Sequence, residues 1–308
     1  MSMRLDRARA VADAVLYDGY LQDSTPASPI QGHGRWQVGV LGPEGAEDAG
    51  LGESSTMSMQ CLLTSPSELV VHLRFLQVHH RIVHGSDDAH ATRAASANGT
   101  SRLTWDETVE RELTYELSPF DLEAGGTVLS VAVDGGEEED RLGWGDGHVV
   151  RRRWPLTAEM RAAIVPSDGC TRLDITVLNL HTGCTDAVDA TRHSLIGTHV
   201  VIEARHADFV SMLEPPDRLA EPAAACVQHR FWPVLGGEAG ETDLLLALPI
   251  ILGDHPRIGE SPSPRWDRTN QRGPDSQRSE TSNDEVPAGG DSERRRRSSF
   301  PPTVHVVG

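Results

Sequence analysis

Between Thr56 and Ile82 apolar side chains recur at every second position, and that period restricts this part of the chain to β-structure. Met57, Met59 and Cys61 alternate with polar residues, as do Leu69, Val71, Leu73 and Phe75. A period of two fits a strand with one buried face, not the 3.6-residue repeat of a helix. The phase then moves to Leu76, Val78, His80 and Ile82, which predicts a bulge that inserts one residue. Further strands are expected around Leu113–Leu117, Val128–Val133, Val149–Trp154, Leu173–Val177, Leu195–Ala204 and Arg230–Leu235. Nine nearly unbroken apolar residues, Leu244–Leu252, read as a buried strand that ends at the polar turn Gly253-Asp254-His255-Pro256. Many short strands between Gly- and Pro-bearing turns predict a mainly β protein of one or two antiparallel β-sandwich-like domains.

The remaining segments complete the expected layout. Leu5, Ala8, Val11/Ala12 and Val15/Leu16 predict a short N-terminal helix over Arg4–Leu16, stopped by Asp18-Gly19. Ser24–Gly34 is a connection, Arg35–Leu41 a strand and Gly42–Glu53 an acidic, glycine-rich loop. Thr157–Ala162 reads as a helical turn with Thr157 as cap, and Gly135–Asp140 as a solvated acidic turn. The domains expected are an N-terminal helix, strand and loop (1–52), a first β-rich domain (53–147) and a second (148–264). A disordered, Arg-bearing tail (265–308) follows them.

Composition narrows the partners. The 308 residues carry a net charge of −18, and every basic residue is arginine. A surface this acidic repels phosphate backbones and anionic lipid, so neither nucleic acid nor membrane insertion is expected. No apolar run reaches the ~20 residues of a membrane helix, and the N-terminus lacks the apolar core of a secretion signal. The four cysteines, Cys61, Cys170, Cys184 and Cys226, show no CxxC spacing and read as reduced thiols in a cytoplasmic protein.

Motifs that carry chemistry are sparse. Val38–Gly45 lacks the spacing of a phosphate loop, and Pro43 removes a backbone donor that such a cradle needs. No GxSxG nucleophile elbow occurs. Among the fourteen histidines, His80 and His84 are four apart, but on a strand that spacing covers about 13 Å. His79 and His80 would point to opposite faces, as ordinary strand residues. The better metal candidates are Cys170, His181 and Cys184, which flank the strand at Leu173–Leu180. Asp254 and His255 follow a buried strand, where function often sits, although bonding to their own turn explains them as well. Trp36 and Trp144 are the aromatics best placed to be exposed binding residues. No cofactor is expected. These residues leave three functions open: a protein-binding accessory protein, a metal-dependent hydrolase, and a sandwich that holds a small ligand.

Several segments carry a resemblance: VADAVLYDGYL (Val11–Leu21), RWQVGVL (Arg35–Leu41), LRFLQVHHRIV (Leu73–Val83), FVSMLEPP (Phe209–Pro216) and WPVLGGEAGETDLLLALPIILGDHPRIGESP (Trp232–Pro262). Together they span Val11 to about Pro264, most of the chain, and resemble an uncharacterised protein family of high-GC Gram-positive bacteria. The resemblance implies genes beside those of nickel–iron uptake hydrogenases, hence an accessory role with hydrogenase components as partners. It implies no catalytic residues. The chain departs from the family at Gln22-Asp-Ser-Thr25, where Tyr-Pro-Tyr-Arg is usual, and at Gly253, where a Tyr is usual. From Arg265 a polar, Arg-rich stretch replaces an acidic, Leu/Ile-rich one. That replacement has the character of a shifted reading frame, a reading that requires the Leu/Ile-rich continuation in another frame of the gene.

Overall fold

A computed structural model describes residues 3–17, 38–84, 104–141 and 148–259. Among the described residues, the helix at Met3–Leu16 is followed by eleven strands. They are β1 (Thr56–Leu63), β2 (Leu69–His84), β3 (Thr104–Leu117), β4 (Thr127–Val133), β5 (Gly136–Arg141) and β6 (His148–Arg153). The rest are β7 (Leu156–Ser167), β8 (Cys170–Asn179), β9 (Ile196–Ala204), β10 (Trp232–Leu235) and β11 (Leu244–Leu248). All ladders are antiparallel. One sheet has the order β1-β8-β7-β4; the other runs β10-β11-β9-β2-β6-β5, with β3 on the far edge of β2.

The mainly β expectation therefore holds, with its short N-terminal helix. Strands from the two expected β series interleave: β1 pairs with β8, β4 with β7, and β2 with both β6 and β9. The described residues fall in one compact unit, with no division at 147/148. The tail at 265–308 lies outside the described residues, as do Trp36 and Trp144.

Two apolar layers explain the sequence pattern. Between the sheets lie Met57, Met59 and Cys61 of β1, Leu69, Val71, Leu73 and Phe75 of β2, and Leu173, Ile175 and Val177 of β8. On the other side of the larger sheet, Leu5, Ala8, Val11 and Leu16 of the helix cover Leu76, Val78, Val201 and Leu246. The strand β11 is buried on both faces, which is why it reads as an unbroken apolar run. It stops at Leu248, short of the expected Leu252, because Pro249 supplies no N–H to a ladder.

This layering also corrects the bulge. The ladder between β2 and β3 runs without interruption from Leu69↔Leu117 to Ile82↔Thr104. The odd-numbered residues of β2 face the second sheet and the even-numbered ones face the helix, so the shift to Leu76 and Val78 marks a second buried face. The inserted residue is in β9, where Gly197 and Thr198 stand opposite Phe75 alone. Gly197 has φ 60°, and a Cβ there would meet Tyr17 Cε1 at 2.9 Å. Only glycine meets both demands.

Three other expectations are corrected. Thr157–Ala162 belongs to β7, with Leu156, Ala158, Met160 and Ala162 buried at period two and ladders on both sides. Tertiary pairing here overrides the helical preference of alanine. The acidic run forms strand β5, because β6 sets Arg152 and Arg153 against Glu137 and Glu138. In the described part of Arg35–Leu41, a turn leads to a single bridge between Leu41 and Leu195.

One ionic knot fixes the helix to the sheet. Arg74, 2% exposed, donates from Nη1 to Asp13 Oδ1 at 2.8 Å and from Nη2 to Glu110. Its Nε stands 3.1 Å from Glu112 Oε2, but off the hydrogen-bonding line. Arg9 of the helix pairs with the same Glu112. Removing water from this arginine is tolerable only because three carboxylates surround it.

A candidate interaction face around Trp154

The distal half of β2 carries a group of polar and aromatic side chains on its even face. His80 stands opposite Asp106 of β3 on one side and Arg152 of β6 on the other. Its Nδ1 is 2.6 Å from Asp106 Oδ1. A carboxylate only accepts, so Nδ1 carries a proton. Trp154, the residue after β6, sets its ring 6.2 Å from His80. The short helix Ala187–Arg192 then places the Arg192 guanidinium over the indole, 4.4 Å from its centre. Arg192 Nη2 is 3.4 Å from His80 Nδ1, which has no lone pair to offer, so the indole face is its main anchor.

A second pair of imidazoles extends the group. His193 ends the short helix, and its ring is 6.5 Å from Trp154. It stacks on His181 at 3.7 Å and 6°. His193 Nδ1 donates to Asp189 O at 2.9 Å, with the Asp189 carboxylate at 3.2 Å. Buried Asn179, the last residue of β8, ties the surrounding loops together. Its Nδ2 donates to the carbonyls of Leu41 and His193, and its Oδ1 accepts from His181 N. Asp186 caps the helix by accepting from Asp189 N at 2.8 Å.

The electrostatics favour a neutral His181. Burial pushes the His181 imidazole below its usual range, and neighbouring His193 pushes it further. The Asp189 carboxyl is lowered chiefly by the Thr185 N–H, which outweighs the opposing effect of burial, and His193 lowers it further. Burial, then Asp189 and Asp186, raise the half-exposed Cys184 thiol, which makes it a weak nucleophile.

The residues singled out by sequence have separate fates. Cys170 opens β8 and His181 lies just past its end, so about 30 Å of strand separates them. One ion with bonds of about 2 Å cannot join Cys170 to His181 and Cys184. Among the described residues, no group of His, Cys, Asp and Glu is arranged to hold a metal. Asp254 and His255 stitch down the end of β10. Asp254 accepts from Leu235 N at 2.9 Å and from Ser211 Oγ. His255 donates its N–H to Leu235 O at 2.7 Å, and its Nδ1 is 3.1 Å from Gly237 O.

Sequence reasoning missed Asp106, Trp154, Asn179, Asp189, Arg192 and His193, and read His80 as an ordinary strand residue. The one usable signal was Trp154-Pro155 at a strand end. A hollow of about 250 Å³ lies at the opposite end of β2, between Leu69, Leu117 and Arg205, away from this group.

Fold and site together define an antiparallel β-sandwich protein with a half-buried Trp–Arg–His cluster on one sheet. No protein-family model matches the chain, and no curated protein does. Among the described residues, no helix is long and apolar enough to cross a membrane.

Proposed function

We propose that this chain is a cytoplasmic accessory protein that binds another protein through the face centred on Trp154, Arg192, His80 and the His181–His193 stack. The observation that carries the reading is Trp154, half-buried with a guanidinium laid on its ring and imidazoles at its edges. Tryptophan and arginine dominate the energetics of protein interfaces, most of all where a surrounding rim excludes water. Leu180, 43% exposed and next to His181 in the chain, supplies apolar area for such a contact. The resemblance in sequence makes components of nickel–iron hydrogenase assembly the partner class.

Tagged protein purified from hydrogenase-expressing cells tests this, with Trp154→Ala alongside. Retention of a hydrogenase or maturation component is expected, with recovery reduced at least tenfold in W154A at an unchanged thermal midpoint. Recovery of no such component, or equal recovery with W154A, would refute the proposal.

A further inference from the structure

The opposite face of the same strands presents a second polar group with a different character. Gln77, His79 and Arg81 of β2 point to the side away from His80, and β6 adds Arg151 and Arg153 in register with Arg81 and His79. Strand β3 adds Glu107 and Arg111, and β5 adds Glu138 and Asp140. Here the chain passes from β4 to β5 between the two sheets. The Asp134–Gly135 segment lies against Gln77, whose Nε2 donates to Trp154 O at 2.7 Å and to Asp134 O at 3.4 Å. The passage is so close that a Cβ on Gly135 would meet Pro155 Cδ at 2.7 Å.

The charges on this face do not cancel. Arg153 pairs with Glu138, Arg151 with Asp140, and Arg81 with Glu107. Arg111 has no carboxylate partner among the described residues; its Nε donates to Gln77 Oε1 at 3.0 Å. One guanidinium edge is thus left without an anion, in a protein of net charge −18. On the same face, four positions along β2 from Phe75, which stands opposite Arg111, His79 is only 4% exposed, and its Nε2 is buried without a hydrogen-bond partner. Leaving a buried polar atom unpaired is destabilising. An unpaired guanidinium and an orphaned imidazole nitrogen on one face are the donors an oxyanion requires.

We propose that His79, Arg111 and Arg153, braced by Gln77, form a binding site for a small oxyanion. The Arg111 guanidinium supplies the charge and a planar pair of donors, His79 Nε2–H a directed hydrogen bond, and Arg153 a flanking cation. The site lies on the other face of the sheet from Trp154 and stands independently of the interaction face.

Calorimetric titration of the full chain with inorganic phosphate, at constant ionic strength in chloride, tests the assignment. Saturable one-to-one binding is expected, weakened at least tenfold by Arg111→Gln and unchanged by Trp154→Ala. NMR of the imidazole nitrogens gives a second measure on the unaltered chain. Bound phosphate should move the His79 pKa upward, because a nearby anion favours the charged ring. No saturable binding, equal binding by R111Q, or a His79 pKa indifferent to phosphate would overturn the assignment.

Discussion

Arg74 heads the fully buried side chains in size, and its chemistry sets a pH dependence. His199, also fully buried, places Nδ1 2.8 Å from Gly197 O and Nε2 3.2 Å from Arg74 Nη1. The carbonyl can only accept and the guanidinium can only donate, so His199 must be neutral with its proton on Nδ1. Burial, aided by the Arg74 charge, lowers its pKa to about 3. Between that value and about 6.5 the unfolded chain binds a proton that the folded chain does not. Stability is therefore full above about pH 6.5 and falls as pH drops toward 3, by up to about 5 kcal/mol from this residue. His79 and His181, also lowered, act with the same sign. Urea unfolding at stepped pH should show that slope, and His199→Gln should flatten it; an equal slope in both proteins would refute the account. None of this was visible at residue level in the sequence. His80 and Asp106 are 26 positions apart, and His80 and Arg192 are 112 apart. Spacing reports neighbours on one element, whereas these pairs meet only across a ladder or at a loop.

Elements proved more legible, because alternation is a local property of a strand. The periods in β1, β2 and β8 were sufficient to place them, and the helix at Met3–Leu16 followed from its apolar stripe. The errors arose where an element's environment was not local. The acidic β5 looks like a turn until the arginines of β6 lie opposite it, and the phase shift in β2 looks like a bulge until the helix covers its second face. The true bulge in β9 yields a prediction. Gly197→Ala would combine a left-handed backbone with a clash against the Tyr17 ring, and should cost about 2–4 kcal/mol. Gly169→Ala, with φ 75° but open space around it, should cost only about 1 kcal/mol. Chemical denaturation of both variants checks the difference; equal losses would mean that the Tyr17 contact carries no weight.

At the scale of the whole molecule, each sheet draws strands from both sides of residue 147. Unfolding should then be one cooperative event, with calorimetric and van't Hoff enthalpies in agreement. Expressed apart, 1–147 and 148–308 should both lack protected amides, since β8 and β7 lose β1 and β4 while β9 loses β2. A protected sheet in either fragment alone would contradict this. For the N-terminal helix, β1, β8 and the first half of β2 the sequence by itself determined the class of element and the side that is buried, since both follow from side-chain period along a few residues. Tertiary structure alone decided which strands pair and which polar side chains share a face. Partner choice is settled by contacts between distant segments, and no local pattern encodes it.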